Sequence, residues 1–243
     1  MLSNALGFFS IIVFSIVYYH DIEFLRRFKA ADFTSFAAGV GTVYIFIHML
    51  PQISHGQHLL EEFFPNIHFT GSQYSNYVIA LVGFIFFYMF DSFLTHTRRL
   101  PTDEYRTPDE LAFYWTNVLF ICLYNLLIGY VVGSYTQGNI SFRIVYMLAY
   151  IVHFITIKWG IYHVFPKRYE NQARYPIILG LFIGYFIALF FDINPLVLSV
   201  NESLLTGAMM LNVFKHELPN EKDSRSKAFI VGILSSLILF MLI

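Results

Sequence analysis

Long apolar runs separated by short polar interruptions set the pattern of this chain. Six stretches contain no Asp, Glu, Lys or Arg: Met1 to His20, Phe33 to Leu60, Phe63 to Phe90, Leu111 to Phe142, Tyr175 to Phe191 and Ala228 to Ile243. Two more apolar segments hold one interior charge each, Lys158 between Ile144 and Val164 and Glu202 between Pro195 and Phe214. A helix crosses the bilayer core with about 20 mostly apolar residues. The pattern therefore predicts an all-α, polytopic membrane protein with eight transmembrane helices, at approximately 2–19, 34–50, 77–95, 112–133, 144–164, 175–191, 195–214 and 228–243. The third begins near Tyr77 because Pro65, Asn66, Gly71, Ser72 and Asn76 are turn residues. Residues 1–243 read as one helical domain with short loops.

The basic residues test this parse, since Lys and Arg accumulate in short cytoplasmic loops. Alternate loops carry Arg26, Arg27 and Lys29; Arg98, Arg99 and Arg106; Lys167, Arg168 and Arg174; and Lys215, Lys222, Arg225 and Lys227. The intervening loops carry none, except Arg143 in the fourth. That alternation predicts both termini outside and a multi-pass protein of the cell membrane. The first apolar run also suits a signal peptide, but it lacks a basic leader and a small-residue cleavage site, and Tyr18, Tyr19 and His20 suit an interfacial helix end.

Composition agrees. Apolar residues make up 57% and charged residues 13%, about half the charged fraction of a soluble domain. A net charge of -1 offers no basic surface for nucleic acid, so the expected partner is the lipid bilayer. The single cysteine, Cys122, excludes an internal disulfide framework.

Ionisable groups at membrane depth are costly, which makes each a functional candidate. Glu202 lies near mid-span beside Asn201 and has to be neutralised, hydrogen-bonded or protonated. Lys158 and His153 are its nearest partners in depth, so a structural ion pair and a transport site both remain open. Lys158 can also snorkel. Asn125, near the centre of the fourth span, suits either hydrogen-bonding between helices or a substrate path. Asp91 and His96 end the third span on the cytoplasmic side.

A denser set follows the second span. His48, Gln52, His55 and Glu62 recur at steps of four, three and seven, and His58 pairs by spacing with Glu61 and Glu62. If the helix continues past Pro51, these groups form an imidazole and carboxylate stripe, a ligand set suited to Zn, Fe, Mn or Co. A solvated polar loop is the plainer reading. Gly180, Gly184 and Ala188 form one small-residue ladder and Gly129 with Gly133 another, suited to packing within the bundle or to a homodimer contact.

Several of these segments resemble the ZIP (Zrt/Irt-like) metal transporters. Phe36 to Thr42 followed by His48-Met49-Leu50-Pro51 is similar to that family's second helix. Tyr124 to Gly129 is similar to its His-Asn-x-Pro-Glu-Gly motif with Asn125 and Gly129 kept, and His153 falls where its fifth helix begins a His-Glu-x-Pro-x-Glu motif. Leu205 to Ala208 through Leu218-Pro219 resembles its Gly-rich seventh helix. The resemblance implies an eight-helix transporter whose two metals are bridged by the fourth and fifth helices. At those positions this chain has Tyr124, Ile128, Phe154, Ile157 and Lys158, with Asn125 and His153 retained.

The expected function is accordingly transport of a divalent metal cation such as Zn, as substrate rather than cofactor, or of another small solute. His48, His55, His58 and Glu62 would collect cations outside. Asn125, His153 and Glu202, with Lys158 beside them, would line the mid-membrane path, and Asp91 the exit. Two alternatives stand beside it: a ZIP-like protein that binds or regulates without transporting, and a membrane-embedded metal enzyme. The enzyme is disfavoured because the close pair His55 and His58 falls outside, so no catalytic residue is expected.

Overall fold

The computed structural model describes residues 2–20, 30–63, 72–97, 108–135, 140–162, 166–191, 194–217 and 225–242. Among these, the regular structure is helical throughout, without strands, and forms eight helices. The first, α1, is Leu2–Tyr19. Helix α2 covers 30–63 and consists of Ala30–Tyr44, a π-helical turn Ile45–Met49, and Leu50–Phe63. A 3-10 turn, Ser72–Tyr74, leads into α3, Ser75–Thr97. Helix α4 is Pro108–Ser134 and α5 is Ile140–Tyr162. Helix α6 joins Pro166–Arg168, a π turn Tyr169–Ala173 and Arg174–Phe190. Helix α7 is Pro195–Asn212 extended by a π turn Val213–Glu217, and α8 is Ser226–Met241.

Local chemistry explains the boundaries. Pro108, Pro166 and Pro195 open their helices, where the missing N–H is not needed. Asn194 caps α7, its Oδ1 accepting from the Leu196 amide at 2.9 Å. Pro51 behaves differently. Rather than ending the second helix as its sequence suggests, it lies inside α2, directly after the π turn Ile45–Met49. The wider turn accommodates a residue that cannot donate to the preceding ladder. The helix therefore continues to Phe63, and the residues expected in a loop from Pro51 onward are helical.

The helices pack in two sets. In one, α4 lies along α6, and α1 rests on α4, α5 and α6; in the other, α2 lies along α8 and α3 along α7. Contacts between α2 and α5, α3 and α4, and α4 and α7 join the sets. Glycine sets the closest crossing. A methyl group built on Gly184 would meet the Leu126 carbonyl and lie 2.7 Å from the Tyr130 amide, and one on Gly180 would meet the Cys122 carbonyl. Both small-residue ladders are thus buried in the α4–α6 crossing of one chain.

Among the described residues, four helices are long and apolar enough to cross a membrane: those containing Asp32–Phe63, Tyr114–Ser134, Tyr169–Phe190 and Pro195–Lys215. The distribution of side chains fits such an environment. Leu81, Ile85, Phe86 and Met89 of α3, Leu179, Ile183 and Phe190 of α6, and Val231, Leu234 and Ile238 of α8 face outward, whereas Asn117, Asn125, His153, Asn201, Ser203 and Thr206 are buried. An apolar exterior around polar interior positions is the signature of a bundle solvated by lipid.

Candidate functional site

Antiparallel succession of the helices gives the bundle two ends, one at Asn4 near the start of α1 and the other at Tyr19 where α1 finishes. The candidate site lies between α2, α4, α5 and α7, toward the Asn4 end. The π turn carries His48 into the interior, where 7% of it remains accessible. Its ring packs against Tyr44 (5.1 Å between centroids), Tyr146 (5.6 Å) and Tyr135 (6.5 Å). Tyr135 follows the last residue of α4 and donates its hydroxyl to Glu202 Oε1 at 2.5 Å. Tyr146 in turn donates to the Tyr150 hydroxyl at 3.3 Å, and Tyr44 packs on both rings at 5.7 Å. The result is an imidazole and one carboxylate set among four phenols. Such a cluster offers polar oxygens and aromatic faces to a cation, in surroundings of low dielectric constant where each interaction is strengthened.

The four tyrosines were not singled out by sequence. Tyr44 and His48, like Tyr146 and Tyr150, stand four residues apart and so share a helix face. With 17 tyrosines in the chain, that spacing alone did not distinguish them.

Other sequence candidates occupy different places. Lys158 does not pair with Glu202. Its Nζ donates to the main-chain carbonyls of Val17 at 3.2 Å and His20 at 2.6 Å, and lies 5.9 Å from the Tyr169 ring centre. Depth along the helix was legible, but which side of the bundle the lysine faced was not. Asn125 is fully buried and bonded at both ends of its amide, with Oδ1 accepting from the Tyr18 hydroxyl at 3.2 Å and Nδ2 donating to the Ile177 carbonyl at 3.1 Å. It ties α4 to α1 and α6. His153 Nε2 shares a 2.7 Å hydrogen bond with the Tyr124 hydroxyl, and its ring reaches Tyr150 at 6.4 Å. Asn201, next to Glu202, donates to the Leu127 carbonyl at 3.0 Å. The side chains of Asp91 and His96 lie outside the described residues.

The expected outer stripe divides. His48 is internal, while His55, His58 and Glu62 are exposed on the last turns of α2. His58 Nδ1 lies 3.9 Å from Glu61 Oε2. Glu61 also accepts from Gln57 at 2.9 Å, and Gln57 Oε1 accepts from the Asn76 amide at 2.9 Å, linking α2 to the start of α3. A broad cavity of about 650 Å³ opens beside this network, lined by Gln57, His58, Glu61, Gln73 and Tyr77. Among the described residues, no three His, Cys, Asp or Glu side chains converge in a geometry able to hold a metal ion.

Compared with protein-family models, with curated proteins and with solved structures, the chain matches none.

Proposed function

We propose that the chain crosses a membrane eight times with both termini outside, and that it is a ZIP-like transporter moving a small cation, for which divalent metals such as zinc are the first candidates. One observation carries this reading: Glu202, on a helix apolar enough to span a bilayer, is hydrogen-bonded to Tyr135 and has no basic partner among the described residues. A carboxylate is retained at such depth only against a solvation penalty, which substrate binding can offset. His48 and Glu202 form the contact pair in this proposal, and His55, His58 and Glu62 lie at the outer mouth. Asp91 belongs to the exit route. Asn125 and Lys158 serve as helix ties instead.

Uptake of radioactive zinc, manganese and iron into vesicles containing the purified protein tests the proposal. Substrate-dependent uptake that falls in Glu202→Ala supports it. Absence of uptake for every cation, with Glu202→Ala indistinguishable from the parent, overturns it. A second reading, a ZIP-like protein that binds or regulates without transporting, is favoured by the Tyr124–His153 hydrogen bond, which occupies two positions where the resemblance places metal ligands. A bound cation without uptake would select it.

A further inference from the structure

A small cavity of about 30 Å³ enters the bundle between α1, α4 and α5 at the Asn4 end. That volume holds about two water molecules. Ser10 and Arg143 line it, and Tyr135 and Tyr146 also form part of its wall. His48 packs against both of these rings, and Glu202 accepts the Tyr135 hydroxyl. The cavity thus meets the same two phenols that contact the buried imidazole and carboxylate.

Tyr135 and Tyr146 are held differently. Their rings pack against each other at 5.8 Å, but the Tyr146 hydroxyl donates to Tyr150, one turn along the same helix. Tyr135 instead makes its hydrogen bond between helices, from the end of α4 to the middle of α7. It also stands one residue past the last helical turn, where among the described residues its main chain makes one hydrogen bond, from its amide to the Val131 carbonyl at 3.1 Å. Its side-chain bond to Glu202 is therefore the polar contact that fixes this ring over the pair.

We propose that Tyr135 is a latch: its hydrogen bond to Glu202 keeps the passage from the Asn4-end cavity to His48 and Glu202 closed, and release of that bond opens it. The proposal rests on Glu202 and His48 being the cation-contacting pair, and it assigns control of access to a residue that the sequence did not mark. A substrate cation drawn to Glu202 would compete with the Tyr135 hydroxyl for the same carboxylate, so that binding and opening become one event.

Thiol accessibility tests this without requiring transport. His48→Cys in a Cys122→Ala background places a reporter behind the two rings, and its reaction with a charged, water-soluble thiol reagent is followed in detergent-solubilised protein. Adding Tyr135→Phe, which keeps the ring and removes the hydroxyl, should accelerate labelling by about tenfold or more, the shift expected when one hydrogen bond to a carboxylate is lost. Adding Tyr146→Phe should leave the rate within about twofold of the reporter protein, because that hydroxyl donates to Tyr150 rather than to Glu202; the elution profile of each variant in size exclusion confirms folding. An unchanged rate in Tyr135→Phe overturns the latch. Equal acceleration in Tyr146→Phe also overturns it, since the cluster would then be loosened generally. Faster labelling in Tyr135→Phe together with no cation uptake by the parent would keep the latch and reject transport.

Discussion

Lys158 Nζ donates to the His20 carbonyl at 2.6 Å, a contact spanning 138 residues of sequence. The same ammonium reaches the Val17 carbonyl at 3.2 Å, while the Tyr169 hydroxyl donates to the Tyr18 carbonyl at 2.8 Å and Arg174 Nη1 to the Tyr19 carbonyl at 3.4 Å. The last carbonyls of a helix lack intrahelical partners and carry the negative end of its dipole. Three side chains from α5 and α6 satisfy four of them at the end of α1. Lys158 is in this sense a C-cap supplied by another helix.

Lys158→Met should therefore lower the thermal stability of the solubilised protein by about 1 to 3 kcal/mol, the range for a charged hydrogen bond at a partly buried helix end. Combined with Glu202→Gln, the two effects should add within about 0.5 kcal/mol, as expected for sites without a shared partner. Strong non-additivity would mean that the two charges interact after all.

Asn125 makes a contrasting prediction. Its amide accepts from Tyr18 and donates to the Ile177 carbonyl, so Asn125→Leu should destabilise the fold by about 1 to 3 kcal/mol by leaving buried groups unpaired. Tyr18→Phe should then cost measurably less in the Asn125→Leu background than alone, because the bond it removes is already gone. A Tyr18→Phe effect independent of background would remove Asn125 from its role as a tie between α1 and α4.

Particular residues show how far the sequence reading could reach. The all-helical class and its eight helices followed from uninterrupted apolar length, a one-dimensional property. The end of α2 did not: Pro51 is a helix breaker by local rules, yet the helix runs through it directly after the π turn at Ile45–Met49. Glu202 stood out by its charge, whereas Tyr135, its hydrogen-bond partner, lies 67 positions away and is one phenol among many. Pairing Lys158 with Glu202 was reasonable from depth alone, but depth fixes one coordinate, and the direction a side chain faces depends on how the helices pack around it.

The α4–α6 crossing offers a test of packing. A Cβ at Gly184 would fall on backbone atoms of Leu126 and Tyr130, which cannot swing aside as a flexible side chain would. Gly184→Ala should cost about 1 to 3 kcal/mol through overpacking. The elution volume in size exclusion should stay that of the parent, since the glycine meets a helix of its own chain. A change in oligomeric state with unaltered stability would place the ladder at an interface between chains instead.

Surface and interior polar groups at the Asn4 end should separate cleanly. His58 and Glu61 are mostly exposed and 3.9 Å apart, so His58→Ala should shift stability by less than about 0.5 kcal/mol. Asn76 is fully buried and joins three helices, donating to the Ile53 carbonyl of α2 at 2.9 Å and accepting from Ser199 of α7 at 3.4 Å. Asn76→Ala should cost about 1 to 3 kcal/mol. Thermal unfolding of the two variants side by side checks the contrast.

Metal analysis of purified protein decides between two placements of a cation. A site at the positions suggested by the ZIP resemblance would use His153, yet its Nε2 is engaged with the Tyr124 hydroxyl, and the neighbouring Phe154 is a fully buried core residue packed on Phe14 and Tyr18. His48 and Glu202 instead share the Tyr135 environment. Zinc or manganese retained by the parent should accordingly fall by about tenfold or more in Glu202→Gln and in His48→Ala, in line with the loss of a direct ligand, and persist in His153→Ala. If His153→Ala alone strips the metal, the cation sits between α4 and α5, and the Tyr124 hydrogen bond is a resting contact that the metal displaces.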